Sequence, residues 1–228
     1  MAFRVGDQCP NPLALEIAVL PYCLRLYHGI IQFMNNKKEV DQIIKFFKTS
    51  EKLKTTLRHA WTNDPKRQES TAEHTWHMAL IALILASKLK SHINLSRALK
   101  MIIVHDLVEA ITGDIPAFNG RHIRKSTEEE KAMRVIQSQL PKETGEEITR
   151  LWEEYQTKKT KEAIFVKMLD ILDVLNQHLI SDLSTWSKTE FKFNLNRKGE
   201  KYFLDEPCLY ALYNQLNKEL VKKVQKSL

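Results

Sequence analysis

Three apolar helical runs in this chain are each interrupted by side chains that ligate metals. The clearest is Met101-Ile102-Ile103-Val104-His105-Asp106-Leu107-Val108, which continues Glu109-Ala110-Ile111-Thr112-Gly113-Asp114. His105 and Asp106 stand where a core helix should be apolar all round. Burying an unpaired carboxylate costs several kcal/mol, so any fold that buries this run must compensate the charge. A bound cation is the simplest answer. The bland alternative is a buried, hydrogen-bonded His-Asp pair.

The second run is Ser70-Thr71-Ala72-Glu73-His74-Thr75-Trp76-His77-Met78-Ala79-Leu80-Ile81. Ser70 followed by Glu73 is a capping-box signature, which predicts a helix start and makes Glu73 a cap. His74, Met78, Ile81 and Leu85 share one helical face, so His74 points inward. His77 falls on a neighbouring face and reads as a surface or packing residue. The third run is Ala163 to Leu175. There Lys167 and Asp170 are helix neighbours, three apart, and Ile164, Met168, Ile171 and Leu175 surround Asp170 on the wheel. Asp170 is the preferred buried carboxylate and Asp173 the alternative. His74, His105, Asp106 and Asp170 together supply two imidazoles and two carboxylates, a set that suits one divalent ion: manganese, cobalt, iron, zinc or magnesium. His105 and Asp106 would point about 100° apart on a helix and meet an ion lying between helices.

These motifs resemble those of the HD-domain metal-dependent phosphohydrolases, most closely the branch of bacterial 5'-deoxynucleotidases and their small eukaryotic and archaeal relatives. The resemblance is carried by Glu69-Ser70-Thr71-Ala72-Glu73-His74, by His105 to Pro116 through Gly113-Asp114-Ile115-Pro116, and by Lys167-Met168-Leu169-Asp170. It covers roughly residues 40 to 182. It implies an all-α HD-domain helical bundle holding a divalent metal ion on His74, His105, Asp106 and Asp170. It also implies release of phosphate from nucleoside 5'-monophosphates, with deoxynucleosides preferred. Glu109 shares a helix face with His105 and Asp106. Acidic surface decoration is its bland reading, and the matching Glu of the similar enzymes implies a catalytic one, beside Asp106. The resemblance further assigns phosphate orientation to Arg58, the sugar pocket to Trp61 and a sugar contact to Asp114. Here the spacing is Arg58-His59-Ala60-Trp61, where the bacterial enzymes have Arg and Trp adjacent. Lys167, Arg67, Arg121, Arg124 and Lys125 are further basic candidates. Dinuclear relatives bring extra histidines between the His-Asp pair and the last Asp. Only His122 lies there, which favours one ion. A triphosphate or alarmone phosphohydrolase is the alternative, and a non-catalytic nucleotide or nucleic-acid binder the second.

The rest of the chain bounds these readings. At 228 residues it can bury one core. Lys+Arg 35 against Asp+Glu 28 gives +7, which suits an anionic substrate such as a nucleotide. No basic run interleaved with aromatics speaks for nucleic acid. Cys9, Cys23 and Cys208 are scattered, as reduced thiols of a cytoplasmic protein would be. Residues 13–31 lack the pattern of a signal peptide, and no segment reads as a membrane span.

Residues 1–36 read as an N-terminal extension with a helix broken at Pro21, 37–183 as the HD domain, and 184–228 as a loop or hairpin plus a helix on the same domain. Helices are expected at 40–57, 71–90, 97–111, 127–139, 144–157, 161–182 and about 208–225. Core positions of the first are Val40, Ile43, Ile44, Phe47, Leu53 and Leu57. Asn63-Asp64-Pro65-Lys66 is a turn. His28, His59, His92 and His178 carry no motif and read as structural or surface residues. Apolar stripes on the N-terminal arm and the last helix leave a homodimer open.

Overall fold

The computed structural model describes residues 36–115, 122–195 and 199–226, with the backbone alone at 122–125. Residues 1–35 of the N-terminal extension, with Cys9, Cys23 and His28, together with Pro116 and Arg121 and the side chains of His122, Arg124 and Lys125, lie outside what it describes.

Helix α1 (Lys37–Ser50) starts where the Asn36 side chain accepts from the Glu39 N–H at 3.3 Å. It ends at Ser50, seven residues earlier than expected at Leu57. A 3-10 turn, Glu51–Lys54, follows, and the β-branched pair Thr55-Thr56 leads into a strand. Phe46 and Leu53 pack inward, whereas Phe47 is 63% exposed and Ile44 and Leu57 face outward.

Strands β1 (Leu57–Trp61) and β2 (Gln68–Ser70) pair antiparallel with a register irregularity. The turn between them is the Asn63–Lys66 turn of the sequence, closed by the Lys66 N–H on Asp64 Oδ1 at 3.0 Å. β2 runs directly into α2 (Thr71–Leu85), whose start has both arms of the capping box. The Glu73 N–H donates to Ser70 Oγ and the Ser70 N–H to Glu73 Oε2.

α3 (Leu95–Val104) is capped by Asn94 and stops nine residues after it starts. The expected helix over 97–111 is therefore broken. Residues 105–108 form a turn held by i→i+3 bonds, and only then comes the one-turn helix α4 (Glu109–Thr112). Gly113 follows at φ 71°, a left-handed conformation that turns the chain away. His105 and Asp106 thus sit at a helix end, not in mid-helix.

α5 (His122–Ser138) and α6 (Lys142–Thr157) form an antiparallel pair around Met133, Ile136, Leu151 and Trp152, joined by Val104, Leu107 and Val108. The larger core forms around α7 (Lys161–Ile180), against which α2, α3, α6 and α9 pack. Phe165, Val166, Leu169 and Leu175 are its centre. The turn at 105–108 lies between the two cores, with Met101 and Ile102 in one and Leu107 and Val108 in the other.

Residues 184–205 contain helix α8 (Lys188–Leu195) and 3-10 turns in place of the expected loop or hairpin. The last helix, α9 (Pro207–Gln225), buries Leu209, Leu220 and Val224 against the larger core. Its stripe is covered by its own domain and lends no support to a dimer. Apart from the two short strands, the regular elements among the described residues are all helical, as the all-α reading requires. Among them no helix is long and apolar enough to cross a membrane.

Candidate metal centre and active site

α2 brings His74, the turn after α3 brings His105 and Asp106, and α7 brings Asp170 to one place. His74 and His105 are almost wholly buried, at 0% and 1% exposure. Their Nε2 atoms have no hydrogen-bond partner. Asp106 Oδ2 lies 3.1 Å from His105 Nε2 and 3.8 Å from His74 Nε2, and Asp170 Oδ1 lies 3.5 Å from His74 Nε2. Two buried, orphaned imidazole nitrogens facing two half-buried carboxylates are what a divalent cation satisfies. His74, His105 and Asp170 each offer a ligand atom within 4.8 Å of the others. The residues present fit such an ion.

The other ring nitrogens are spoken for. His105 Nδ1 lies 2.6 Å from the Ile102 carbonyl, the i−3 residue of its own helix. His74 Nδ1 lies 2.6 Å from Asp173 Oδ2.

Electrostatics agree with a cation site. Burial and Arg58 push the His74 imidazole down, yet Asp170 and Asp173 outweigh them and raise it to about 10. Burial raises Asp170, but Lys167 and His74 hold it well below the usual carboxylate range. Asp106 is held low by His105 and Arg58 against the same burial. The carboxylates therefore stay anionic and their field favours positive charge between them.

A cavity of about 1040 Å³ opens beside these residues, with Arg58, His105, Asp106, Glu109, Asp114 and Asp170 on its wall. Arg58, on β1, places Nη1 3.2 Å from Asp106 Oδ2 and Nε 3.4 Å from Glu69 Oε2. Glu109 is 5% exposed and accepts from the Thr71 hydroxyl at 2.8 Å. Burial, then the nearby charges of Asp106 and Asp114, push its carboxyl well above the usual value. Asp114 accepts from the His59 N–H at 3.3 Å and lines the cavity. Lys167 donates to Asp170 Oδ2 at 2.7 Å, so the helix pair read from its spacing exists, at the cavity wall rather than on the open surface.

Trp61 departs from its expected place. It is not among the residues lining the cavity. Its carbonyl accepts from Gln177, and His59 and Ala60 line the wall instead. The arginine and tryptophan are three apart on a strand with a register irregularity, which separates them. Arg67 is also elsewhere, paired with Glu73 at 2.9 Å on the exposed start of α2.

From sequence alone Asp173 ranks below Asp170, and the partners of His77, Tyr155, His59 and His178 go unseen. Asp173 is the fully buried carboxylate of α7, at 0% exposure, while Asp170 stands at the cavity wall. His77, expected at the surface or in packing, is half-buried and hydrogen-bonded to Asp173. Tyr155 packs edge-on against His105, with centroids 5.2 Å apart, and donates to Asp170 at 3.4 Å. His59 and His178 reach the buried Glu190 on α8, at 3.0 and 3.8 Å. For Asp173 a signal existed: it lies three residues from Asp170, hence on nearly the same face. For the others the partner comes from a distant element and no local spacing shows it.

The HD-domain family model matches residues 50–208. The chain belongs to the HD-domain family. Among HD-domain relatives it is 35% identical to the 5'-deoxynucleotidase HDDC2 of Bos taurus over 137 residues, covering 59% of this chain and 65% of that protein. To the Danio rerio 5'-deoxynucleotidase HDDC2 it is 32% identical over 188 residues, 81% of this chain and 91% of the relative. The chain thus spans just under two thirds of the mammalian relative's length and most of the fish one's. A solved structure described as a predicted metal-dependent phosphohydrolase from Magnetospirillum magnetotacticum superposes with a TM-score of 0.68 at 28% identity, over 82% of this chain and 97% of that one. The PH0347 protein of Pyrococcus horikoshii gives 0.59 at 29%, over 77% and 99%.

Proposed function

We propose that this HD-domain chain is a divalent-metal-dependent phosphohydrolase that releases phosphate from nucleoside 5'-monophosphates, with deoxynucleosides preferred. The observation that carries the reading is the pair of buried, unpartnered Nε2 atoms of His74 and His105, facing Asp106 and Asp170 at the wall of a cavity with ample room for a nucleotide. The relatives' name, 5'-deoxynucleotidase, supports the substrate class.

His74, His105, Asp106 and Asp170 hold the ion. Bound there, it supplies Lewis acidity toward a phosphoryl oxygen and lowers the pKa of a water. Arg58 binds and orients the phosphate. Its guanidinium is fixed on one side by Asp106 and Glu69, and a planar donor set matches phosphate geometry. Glu109 moves a proton: burial and the charges of Asp106 and Asp114 raise its proton affinity, and Thr71 holds its carboxyl in place, which suits general acid or base work. Asp114 meets the sugar. Lys167 adds positive charge beside Asp170. Trp61 takes no part in this reading, because it does not line the cavity.

We also read the chain as an HD domain over 37–183 with 184–228 packed on it, working in the cytoplasm. The exposed free thiol of Cys208 suits a reducing compartment. A homodimer remains part of the reading on different residues from those first expected: Trp76, Leu80, Leu83 and Ile84 line one exposed face of α2. Light scattering tests that assembly.

The test of function is a phosphate-release screen of the metal-loaded protein against nucleoside mono-, di- and triphosphates. Inorganic phosphate and free nucleoside in equal amounts, from monophosphates only, support the reading. Release of triphosphate or pyrophosphate moves the chain to the alternative class.

A further inference from the structure

We propose that Asp173, held in turn by His77, is a positioning residue that turns His74 so that its Nε2 faces the cation. The proposal rests on the reading of His74 as a metal ligand and extends it to two residues that touch neither ion nor substrate.

The geometry is specific. Asp173 Oδ2 lies 2.6 Å from His74 Nδ1, with both side chains shut off from solvent. Its other oxygen, Oδ1, is bonded to His77 Nδ1. His74 and His77 are three apart on α2, so two imidazoles one turn apart on one helix grip the two oxygens of one carboxylate on α7. Asp173 cannot rotate without losing one of them.

An imidazole has two unlike nitrogens, and the partner of one decides what the other does. An anionic carboxylate on Nδ1 demands a proton there. That leaves Nε2 as the nitrogen that can yield its proton to a cation in the gap beside Asp106 and Asp170. A carboxylate behind a metal-binding histidine also makes the imidazole a stronger donor, and losing such a partner typically costs ten- to a hundredfold in metal affinity. His105 is oriented by a neutral backbone carbonyl, that of Ile102. The two imidazoles therefore differ: one is backed by charge, the other by a peptide dipole. Only the first backing can be removed by substitution.

The experiment titrates metal-free protein with Mn²⁺ against a competing chelator, for wild type, Asp173→Asn, Asp173→Ala, His77→Gln and His105→Ala. Circular dichroism checks each fold. The expected wild type binds one ion per chain. Asp173→Ala weakens binding roughly ten- to a hundredfold, Asp173→Asn by less, and His77→Gln by a few-fold. In the zinc-loaded wild type the ring ¹⁵N shifts of His74 should report a protonated Nδ1 and metal on Nε2. Should Asp173→Ala fail to fold, Asp173→Asn and His77→Gln decide. Unchanged affinity in the folded variants overturns the proposal. So does a second bound ion that vanishes with Asp173, since Asp173 would then be a ligand itself. If wild type binds no ion, or His105→Ala binds as wild type does, the metal-site reading fails and this inference falls with it. If His105→Ala loses the ion while the Asp173 and His77 variants keep it, only the inference fails.

Discussion

The Thr71 hydroxyl donates to Glu109 Oε2 at 2.8 Å, joining the first residue of α2 to the first residue of α4 across 38 positions of sequence. The same helix, α2, carries His74 three residues further on. The carboxyl proposed to move a proton and the imidazole proposed to hold the ion are therefore both tied to one helix.

Glu109→Ala should cut turnover by roughly 10²–10⁴ if the carboxyl acts as general acid or base, while metal content stays at the wild-type level. Thr71→Val should give a smaller loss with the same metal content. Steady-state kinetics beside elemental analysis check both. A Glu109→Ala protein with wild-type turnover would return Glu109 to a structural role.

Arg58 should matter for phosphate and little for the ion. A charged hydrogen bond is worth roughly 1.5–3 kcal/mol, so Arg58→Ala should lower kcat/KM by about ten- to a hundredfold. Metal stoichiometry should not change. An Arg58→Ala enzyme with unaltered kcat and KM would remove Arg58 from the substrate site.

Much of this arrangement was legible in local sequence. The capping box Ser70–Glu73, the turn at Asn63–Lys66 and the inward His74 are all decided within a few residues, and all stand where they were expected. The break at His105 was not legible, because Leu107, Val108 and Ala110 continue the apolar pattern past the point where the backbone changes to i→i+3 bonds. The hairpin was hidden by its length: β2 has three residues, too few for alternation to register. Asp170 and Asp173 lie about 60° apart on a helical wheel. Which of them is sealed depends on His74 and His77 arriving from α2, and that is tertiary information. The same holds for α8, whose buried Glu190 meets His59 and His178 from distant elements.

The start of α2 should also show in stability against pH. Arg67 and the Ser70 cap lower Glu73 to about 2, despite slight burial. A depressed folded value means the ionised form is favoured by folding. This contribution is fully present above the unfolded carboxyl value and fades as pH falls toward about 2. Glu73→Gln should therefore lower the thermal midpoint at pH 7 and narrow its gap to wild type as pH falls from 5 to 2. A gap independent of pH would contradict the assignment.

Anomalous diffraction at the absorption edge of the bound metal locates directly the one ion that His74, His105, Asp106 and Asp170 are proposed to hold. The expected result is one peak within coordination distance of His74 Nε2, His105 Nε2, Asp106 and Asp170, lost in His105→Ala together with phosphate release. A peak elsewhere on the chain, with these four side chains apart from it, would contradict the account.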